Sequence, residues 1–319
     1  MVKYDIEKIL ANFNIPGNYL FAEPFGGGHI NDTFRVTTNQ GGTEVRYTIQ
    51  RINHYVFKNP PELMDNYRRV TEHIHRKLQM RHDSSRHGLI LILTHDNLPY
   101  YKDYNGNFWR CYCYVEKART FDVCENTDQA YTAAKAFGEF QKMLVDIPGG
   151  RLFETIPNFH NTPNRLKDLQ DSIAADPEGR VEEAAREIDF VMSRRDDISL
   201  LADMLKSGEL PERITHNDTK LNNVLIDYES GEGICVIDLD TVMPGLVHYD
   251  FGDLVRTSAS PALEDETDLS KIYMRFEMFE ALLRGYLDSA ADFLTPAERK
   301  MLPFSGKLIT LEVGIRFLE

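Results

Sequence analysis

The stretch that decides the fold runs from Ile214 to Asn223 and reads ITHNDTKLNN, and VIDLD follows at residues 236–240. The sequence pattern of residues 224–238 predicts a short apolar strand, a turn containing two glycines and a returning strand. Counting back from the turn pairs Asn223 with Asp238. Directly opposed residues of an antiparallel pair lie about 5 Å apart on one face. Two oxygen donors are therefore expected at the open end of the hairpin.

Three residues of this stretch, His216, Asp218 and Asn223, have the spacing H-x-D-x-x-x-x-N. In protein kinases the Asp of this pattern accepts the hydroxyl proton of the acceptor and the Asn holds magnesium. Asp238 supplies a second oxygen ligand, and Mg²⁺ favours sites with one or two protein carboxylates plus phosphate and water. The pattern predicts phosphoryl transfer from ATP, although the same residues could be ordinary loop polars. Lys220 either neutralises the transferring phosphate or is a solvated loop lysine.

Composition restricts the class of protein. The chain has 319 residues, a formal charge of −14 and a pI of about 5.2, which argues against general affinity for nucleic acid or an anionic membrane. No apolar run approaches the ~20 residues of a membrane helix, and the first residues lack a secretory apolar region. The four cysteines have neither zinc spacing nor a disulfide framework, which favours a reducing cytoplasm.

The distribution of patterns along the chain predicts two lobes. Residues 1–118 are strand-rich and are assigned to nucleotide binding, whereas residues 119–319 are mainly helical and are assigned to catalysis and substrate binding. This is an α+β, bilobal, protein-kinase-like arrangement. The main predicted strands are residues 33–38, 44–51, 89–94 and 108–116, and the main predicted helices are residues 60–78, 128–144, 165–175, 181–205 and 271–287.

A glycine run between residues 21–24 and the predicted strand at residues 33–38 is a candidate phosphate loop. Gly26, Gly27 and Gly28 lack a Cβ, so their backbone could approach phosphate oxygens closely. A plain hairpin turn is the alternative. The full G-x-G-x-x-G is not present because Asn31 occupies its third glycine position, and there is no P-loop motif.

The predicted strand at residues 44–51 lacks the lysine that protein kinases use for the phosphates, and Gln50 or Arg51 occupies its place. The phosphates could be held by Arg51, by the glycine backbone or by metal alone. After Asp238 the chain reads Leu239-Asp240 rather than Phe-Gly, and no A-P-E follows. Without room for a long activation loop, the acceptor is expected to be a small molecule. Asp240 is either a further metal ligand or a structural acid that supports the ligands.

Residues 215–223 together with 237–245 resemble the aminoglycoside phosphotransferase and choline kinase superfamily. Residues 26–31, 159–163, 263–266 and 302–306 also match, and within the superfamily the chain most resembles the N-acetylhexosamine 1-kinases. The resemblance implies phosphorylation of the anomeric hydroxyl of N-acetylglucosamine or N-acetylgalactosamine, with ATP and Mg²⁺ as cofactors and the sugar and ATP as partners.

The same resemblance implies individual roles. Asp218 is the base, Asn223 and Asp238 bind the metal, and His29 and Arg316 contact the sugar. The adenine is expected against the linker formed by Val115, Glu116 and Lys117.

Two alternatives and one departure accompany this interpretation. The chain could instead phosphorylate choline, homoserine or an aminoglycoside, or it could bind nucleotide without catalysis. Such kinases also continue beyond the segment that matches residues 311–317. The chain is therefore expected to be truncated at its C-terminus, with part of the sugar pocket missing.

Overall fold

The structure is a computed structural model that describes residues 4–27, 30–81, 85–262 and 266–319. The α-helices are α1 (Ile6–Leu10), α2 (Pro60–Met80), α3 (Thr127–Leu144), α4 (Thr162–Ala175), α5 (Ala185–Met192), α6 (Arg195–Ile198), α7 (Leu200–Lys206), α8 (Val247–Ala259), α9 (Phe276–Ala290) and α10 (Pro296–Leu318). The β-strands are β1 (Asn18–Pro24), β2 (Asp32–Gln40), β3 (Thr43–Ile52), β4 (Leu91–Ile92), β5 (Tyr101–Lys102), β6 (Phe108–Cys113), β7 (Ala118–Arg119), β8 (Arg213–Thr215), β9 (Val224–Asp227), β10 (Gly233–Val236) and β11 (Met243–Gly245).

An antiparallel sheet with the strand order β1-β2-β3-β6-β4 forms the first lobe, and β5 pairs with β6. The β2–β3 hairpin turns through Gly41 and Gly42, whose φ angles are 63° and 94°. A two-residue hairpin turn with positive φ at both positions matches the twist of the flanking strands and favours glycine. This turn determines the register of β3, and therefore which side chains of β3 share a face.

The two faces of this sheet have different environments. Phe34, Ile49 and Trp109 are buried on the outer face, in a cluster that includes α1. Ile52 belongs to the larger core that also contains α2 and the helical lobe. Because side chains alternate along a strand, Gln50 shares the inner face with Ile52. The inner face of the sheet is thus turned toward the second lobe.

Helices α3 and α9 pack closely in the second lobe, and α8 packs on α10. A Cβ built at Gly285 of α9 would lie 2.2 Å from the carbonyl oxygen of Tyr131, and one at Gly252 of α8 would lie 2.5 Å from that of Ser305. These glycines permit helix–helix distances that any side chain would prevent. The α8–α10 contact supports the loop that precedes β9.

Three predicted elements differ from the structure. Residues 181–205 do not form one helix but divide into α5, α6 and α7. The first break, between α5 and α6, is at Ser193. The Ser193 hydroxyl donates to the Phe190 carbonyl at 2.8 Å, and such a local bond competes with continuation of the helix. The strand predicted at residues 89–94 is reduced to β4, and the helix predicted from residue 271 begins at Phe276 as α9. Helices α1 and α8 were not predicted.

The prediction of an α+β, bilobal, protein-kinase-like fold is confirmed. The antiparallel sheet precedes a mainly helical region, and residues 114–117 connect them. The proposed division after residue 118 falls within β7, which pairs with β9 of the second lobe. In the part of the chain that the structure describes, no helix has the length and apolar character needed to span a membrane.

Candidate active site

The loop at residues 216–223 is held at both of its ends. Strand β8 leads into it, and after the β9–β10 hairpin the chain returns as β11, which pairs with β8 through Met243 and Thr215. This ring of short strands brings the start of the loop close to the segment that follows β10. Asp218 and Asp238 are close enough to influence each other electrostatically.

The predicted register of the β9–β10 hairpin is wrong by one residue. An irregularity between Gly233 and Cys235 shifts the pairing, and the Ile237 N–H donates to the Asn223 carbonyl at 2.9 Å. Asn223 is therefore opposite Ile237 instead of Asp238. A one-residue slip normally moves a side chain to the other face. Here Asp238 is left-handed, with φ 59° and ψ 59°, so a sharp turn of the chain directs its side chain rather than the strand register.

Buried polar groups brace the loop from below. Asn217 has a positive φ of 65°, and its side-chain amide donates to the carbonyl of Thr241 at 2.8 Å. The His216 ring bonds to the carbonyl of Ile237 at 2.9 Å through Nε2, while its Nδ1 accepts the Asp218 N–H at 3.3 Å. His216 thus connects the loop to the residue before Asp238, which agrees with a structural role.

The Asp218 carboxylate contacts two other residues of the loop. Lys220 Nζ lies 3.1 Å from Asp218 Oδ2, and Asn223 Nδ2 donates to the Asp218 carbonyl at 2.8 Å and to its Oδ2 at 3.3 Å. Burial acts to lower the pKa of Lys220, but the Asp218 charge more than offsets it and raises the pKa. The side chain of Asp218 is 32 % exposed, so an acceptor can reach it.

The oxygen donors suit a hard divalent cation. Asn223 uses its amide nitrogen on Asp218, and among the described residues its amide oxygen has no hydrogen-bond donor. Partial desolvation raises the pKa of Asp238, and the nearby carboxylates of Asp240 and Asp218 raise it further. A bound cation would relieve that repulsion. Within the described ranges no three His, Cys, Asp or Glu side chains form a metal-binding group, so phosphate and water would have to complete the ligands.

Asp240, a predicted metal ligand, has both carboxylate oxygens engaged by other side chains. Arg110 of β6 donates to it through Nη1 and, at 3.0 Å, through Nη2. The Asn31 side-chain amide donates to Asp240 Oδ2 at 2.7 Å. Burial acts to lower the pKa of Arg110, but the Asp240 carboxylate more than offsets it and keeps the pKa above its usual range. This arrangement favours the structural alternative for Asp240.

Gln50 and Arg51 point to opposite faces of the first sheet. Gln50 is on the inner face, where its Oε1 accepts from Arg110 Nε at 2.9 Å and its Nε2 donates to Thr33 at 2.9 Å. Arg51 is on the outer face, ion-paired to Asp32 at 2.6 Å and 5.7 Å above the Tyr4 ring. The phosphate role considered for Arg51 conflicts with this placement, because the other lobe packs against the inner face.

The glycine run is only partly described. Gly26 has φ 82°, and a Cβ on Gly26 or Gly27 would have no atom within 4 Å, so this part of the loop borders open space. Gly28 and His29, the remaining predicted phosphate and sugar contacts of this segment, lie outside the described residues.

In the linker between the lobes, two backbone carbonyls are engaged. Arg86 donates to the Glu116 carbonyl at 2.6 Å and to that of Lys117 at 3.2 Å. Among the described residues no side chain donates to the Val115 carbonyl, at which the turn of residues 116–117 begins. Of these three carbonyls, those of Glu116 and Lys117 are thus the two that Arg86 occupies.

Two acidic groups near Asp218, Glu312 and Asp253, are paired with cations. The His160 ring bonds to Glu312 at 2.7 Å through Nδ1 and to the Asn217 carbonyl at 3.0 Å through Nε2. Asp253 is ion-paired with Arg256 at 2.8 Å. Burial raises the pKa of Asp253, and the charge of Arg256 opposes that rise. These two acids therefore add little net charge beside the candidate base.

Arg316, a predicted sugar contact, is exposed on α10 one turn beyond Glu312. Residues four apart lie on one face of a helix, and Glu312 contacts both α4, through Thr162, and the loop-bracing His160. Arg316 is therefore on the same side of α10 as Glu312, and its guanidinium lies 5.9 Å from the centre of the Phe317 ring.

Sequence reasoning missed the Arg110–Asp240 and His160–Glu312 pairs. One signal was available for the first: in β6 Arg110 lies two positions from Phe108 and Tyr112 and so shares a face with these aromatic residues. A charged residue in the middle of a buried strand needs a partner. No local signal identifies that partner, which lies 130 residues away.

A family model described as the phosphotransferase enzyme family (APH) matches residues 22–286 of this chain. Among solved structures, an amicoumacin kinase in complex with AMP-PNP and Ca²⁺ has a TM-score of 0.61 at 14 % identity, covering 99 % of this chain and 85 % of that one. A microcompartment-associated aminopropanol kinase has a TM-score of 0.55 at 15 % identity, covering 97 % and 87 %. An ethanolamine kinase from Plasmodium vivax has a TM-score of 0.53 at 14 % identity, covering 93 % and 76 %. At these identities the likeness establishes the fold.

Proposed function

The chain belongs to the phosphotransferase enzyme family, and from this premise we propose that it transfers the γ-phosphate of ATP to the anomeric hydroxyl of an N-acetylhexosamine, with Mg²⁺ as cofactor. In this proposal residues 1–118 bind the nucleotide and residues 119–319 carry the acceptor and the base.

The proposal depends chiefly on the contact between Asp218 and Asn223. The Asn223 amide nitrogen donates to Asp218, which turns the amide oxygen away from the carboxylate. The Asn223 side chain then lies between the Asp218 carboxylate, which would accept the proton, and the site that would hold the cation. Asn223 Oδ1 and the Asp238 carboxylate would hold the Mg²⁺, whose chemistry is to neutralise the phosphate charge. Asp218 would orient the acceptor hydroxyl and accept its proton, with Lys220 beside it.

Most of the rate enhancement in such a site would come from positioning and charge neutralisation, because the protein forms no covalent intermediate in direct transfer. Positioning requires a rigid loop. The hydrogen bonds of Asn217 and His216 supply this rigidity, because they restrain the backbone on the N-terminal side of Asp218. The adenine would lie against Val115, the linker residue whose carbonyl Arg86 does not occupy.

The charge balance of the acceptor side supports a neutral acceptor. Glu312 is paired with His160, and Asp253 is paired with Arg256. A cationic amino alcohol is best recognised by a carboxylate without another cation partner, whereas a sugar needs hydrogen-bonding groups and tolerates an arginine such as Arg316. We therefore favour an uncharged polyol over an amine.

The test is to measure ATP consumption with N-acetylglucosamine, N-acetylgalactosamine, choline, ethanolamine and homoserine. The methyl glycoside of N-acetylglucosamine, which lacks a free anomeric hydroxyl, is the matched control. We expect turnover with a free N-acetylhexosamine, none with its methyl glycoside, and a product whose phosphorus couples to the anomeric proton in NMR. Turnover with the methyl glycoside would refute the position of transfer, and turnover with amines alone would refute the sugar.

The second candidate is a kinase of a cationic amino alcohol. Two structural neighbours are named as aminopropanol and ethanolamine kinases, and the formal charge of −14 would attract a cation. The same acceptor panel distinguishes this candidate, because it requires choline or ethanolamine to be consumed in preference to either hexosamine.

A further inference from the structure

Arg110 occupies the inner face of the first sheet at the place where the chain lacks a phosphate-binding lysine. Arg110 of β6 is directly opposite Gln50 of β3. Its side chain is fully buried, at 0 % exposure, and its guanidinium lies 4.6 Å from the centre of the Tyr67 ring of α2. The sheet therefore does contain an inner-face cation beside this position, but on the neighbouring strand.

The contacts of this guanidinium cross from one lobe to the other. Both of its terminal nitrogens donate to the carboxylate of Asp240, and its Nε donates to Gln50. Asp240 also accepts from the Asn31 side chain, whose Oδ1 accepts the backbone N–H of Asn53 at 2.9 Å. Several segments of the first lobe thus converge on one carboxylate of the second lobe.

That carboxylate is two residues from Asp238. Asp240 lies in the short 3₁₀ turn of Leu239–Thr241, and Asp238 is the left-handed residue at its start. The Asp240 main-chain carbonyl accepts from Thr155 at 2.8 Å, so the turn is held on its second-lobe side as well. A displacement of Asp240 would therefore move Asp238.

We propose that Arg110 is a positioning residue for the nucleotide site, which joins the two lobes through Asp240 and thereby orients the Asp238 carboxylate. This inference rests on the proposed function, because it assumes that Asp238 holds a cation on ATP. Arg110 does not reach the phosphates itself: its side chain is buried and both terminal nitrogens are committed to Asp240. The planar fork of arginine fits this geometry, and a lysine cannot make both bonds.

The experiment compares Arg110→Lys, Asp240→Asn and the double variant with the wild type. Isothermal titration measures Mg²⁺-dependent binding of AMP-PNP, and steady-state kinetics separate KM for ATP from KM for the acceptor. We expect each single variant to weaken Mg²⁺-dependent AMP-PNP binding about tenfold, with KM for the acceptor unchanged. The double variant should be no weaker than the weaker single variant, because coupled residues are non-additive.

Arg213→Lys is the matched control. Arg213 makes a comparable two-point contact with Glu298, at 3.0 and 3.1 Å, but both residues belong to the second lobe. This variant should lower the melting temperature and leave AMP-PNP affinity intact. Wild-type affinity in Arg110→Lys, multiplicative losses in the double variant, or an equal loss in Arg213→Lys would each overturn the proposal. Because AMP-PNP binding does not involve the acceptor, a wrong sugar assignment would leave this result unchanged.

Discussion

The Asp250 carboxylate on α8 accepts the backbone N–H of Asn217, with 2.7 Å between Oδ1 and the nitrogen. Its Oδ2 accepts the N–H of His216 at 2.9 Å and the Gln141 side chain at 2.6 Å. One buried carboxylate thus determines the path of the two residues before Asp218. Since Asn217 is left-handed, this bracing also holds a backbone conformation that a non-glycine residue rarely adopts.

Replacement of Asp250 by Asn should therefore affect both stability and turnover. The Asn side chain keeps one oxygen acceptor, but its N–H₂ group faces the N–H donors that the second carboxylate oxygen accepted. Hydrogen bonds to a charged group contribute about 1.5–3 kcal/mol each. We expect a loss of that order in the free energy of unfolding and a lower kcat. Urea unfolding and kinetics measure these effects. An unchanged kcat would mean that the brace is dispensable.

Replacement of Asp218 by Asn should remove nearly all turnover without loss of the fold. A positioned general base contributes about 10²–10⁴ in rate, so kcat should fall by that factor. AMP-PNP affinity and melting temperature should stay near the wild type, because the side chain is partly exposed. The control is Glu232→Gln, which changes an exposed acid in the turn of the β9–β10 hairpin. A wild-type rate in Asp218→Asn would remove Asp218 from the role of base.

The metal assignment predicts a specific change in magnesium dependence. Asn223→Ala and Asp238→Ala each remove one oxygen donor, and loss of groups that only support metal ligands already costs about 10–100-fold in affinity. We expect the Mg²⁺ concentration for half-maximal activity to rise at least about tenfold in each variant. A magnesium titration at saturating ATP measures it, and an unshifted curve for Asp238→Ala would contradict the assignment.

The His160–Glu312 pair predicts a stability that depends on pH. Both ring nitrogens of His160 face acceptors, an arrangement that requires the protonated ring. Burial acts to lower the pKa of His160, but the Glu312 carboxylate outweighs it and raises the pKa. A raised folded-state pKa gives stability that is complete below the ordinary value of about 6.5 and is lost as pH rises through the folded value.

The measurement for this pair is the melting temperature of the wild type and of His160→Gln at a series of pH values. The advantage of the wild type should be largest below pH 6.5 and shrink above it. In the background of Glu312→Gln the same comparison should lose most of its pH dependence. A gap that widens toward alkaline pH would contradict a charged His160.

Two helical glycines should respond oppositely to alanine. At Gly285 a Cβ would lie 2.2 Å from the Tyr131 carbonyl oxygen, whereas at Gly314 of α10 it would have no atom within 4 Å. Alanine favours a helix over glycine by about 0.8–1 kcal/mol, and overpacking costs about 1–3 kcal/mol. We expect Gly314→Ala to stabilise and Gly285→Ala to destabilise the protein in urea unfolding. The same sign at both sites would mean that the α3–α9 contact tolerates a side chain.

Local patterns predicted the elements whose contacts are local. The β2–β3 hairpin follows from Gly41 and Gly42, α2 from the prolines that open it, and α3 from apolar residues at helical spacing. The loop around Asp218 was recognised because its residues lie within eight positions of one another. The register of the β9–β10 hairpin was predicted wrongly because it does not depend on local pattern alone. The irregularity at Gly233 and the left-handed Asp238 depend on packing, which the periodicity of the sequence does not record.

The sequence by itself determined the fold class, the order of the lobes and the loop that contains the candidate base. Only the tertiary structure decided that Gln50 rather than Arg51 faces the second lobe, that Arg110 meets Asp240, and that His160 meets Glu312. The two pairs join residues 130 and 152 positions apart. Buried charges need partners, but which partner is near depends on how the lobes and helices pack, and that arrangement is set by the whole core rather than by any one segment.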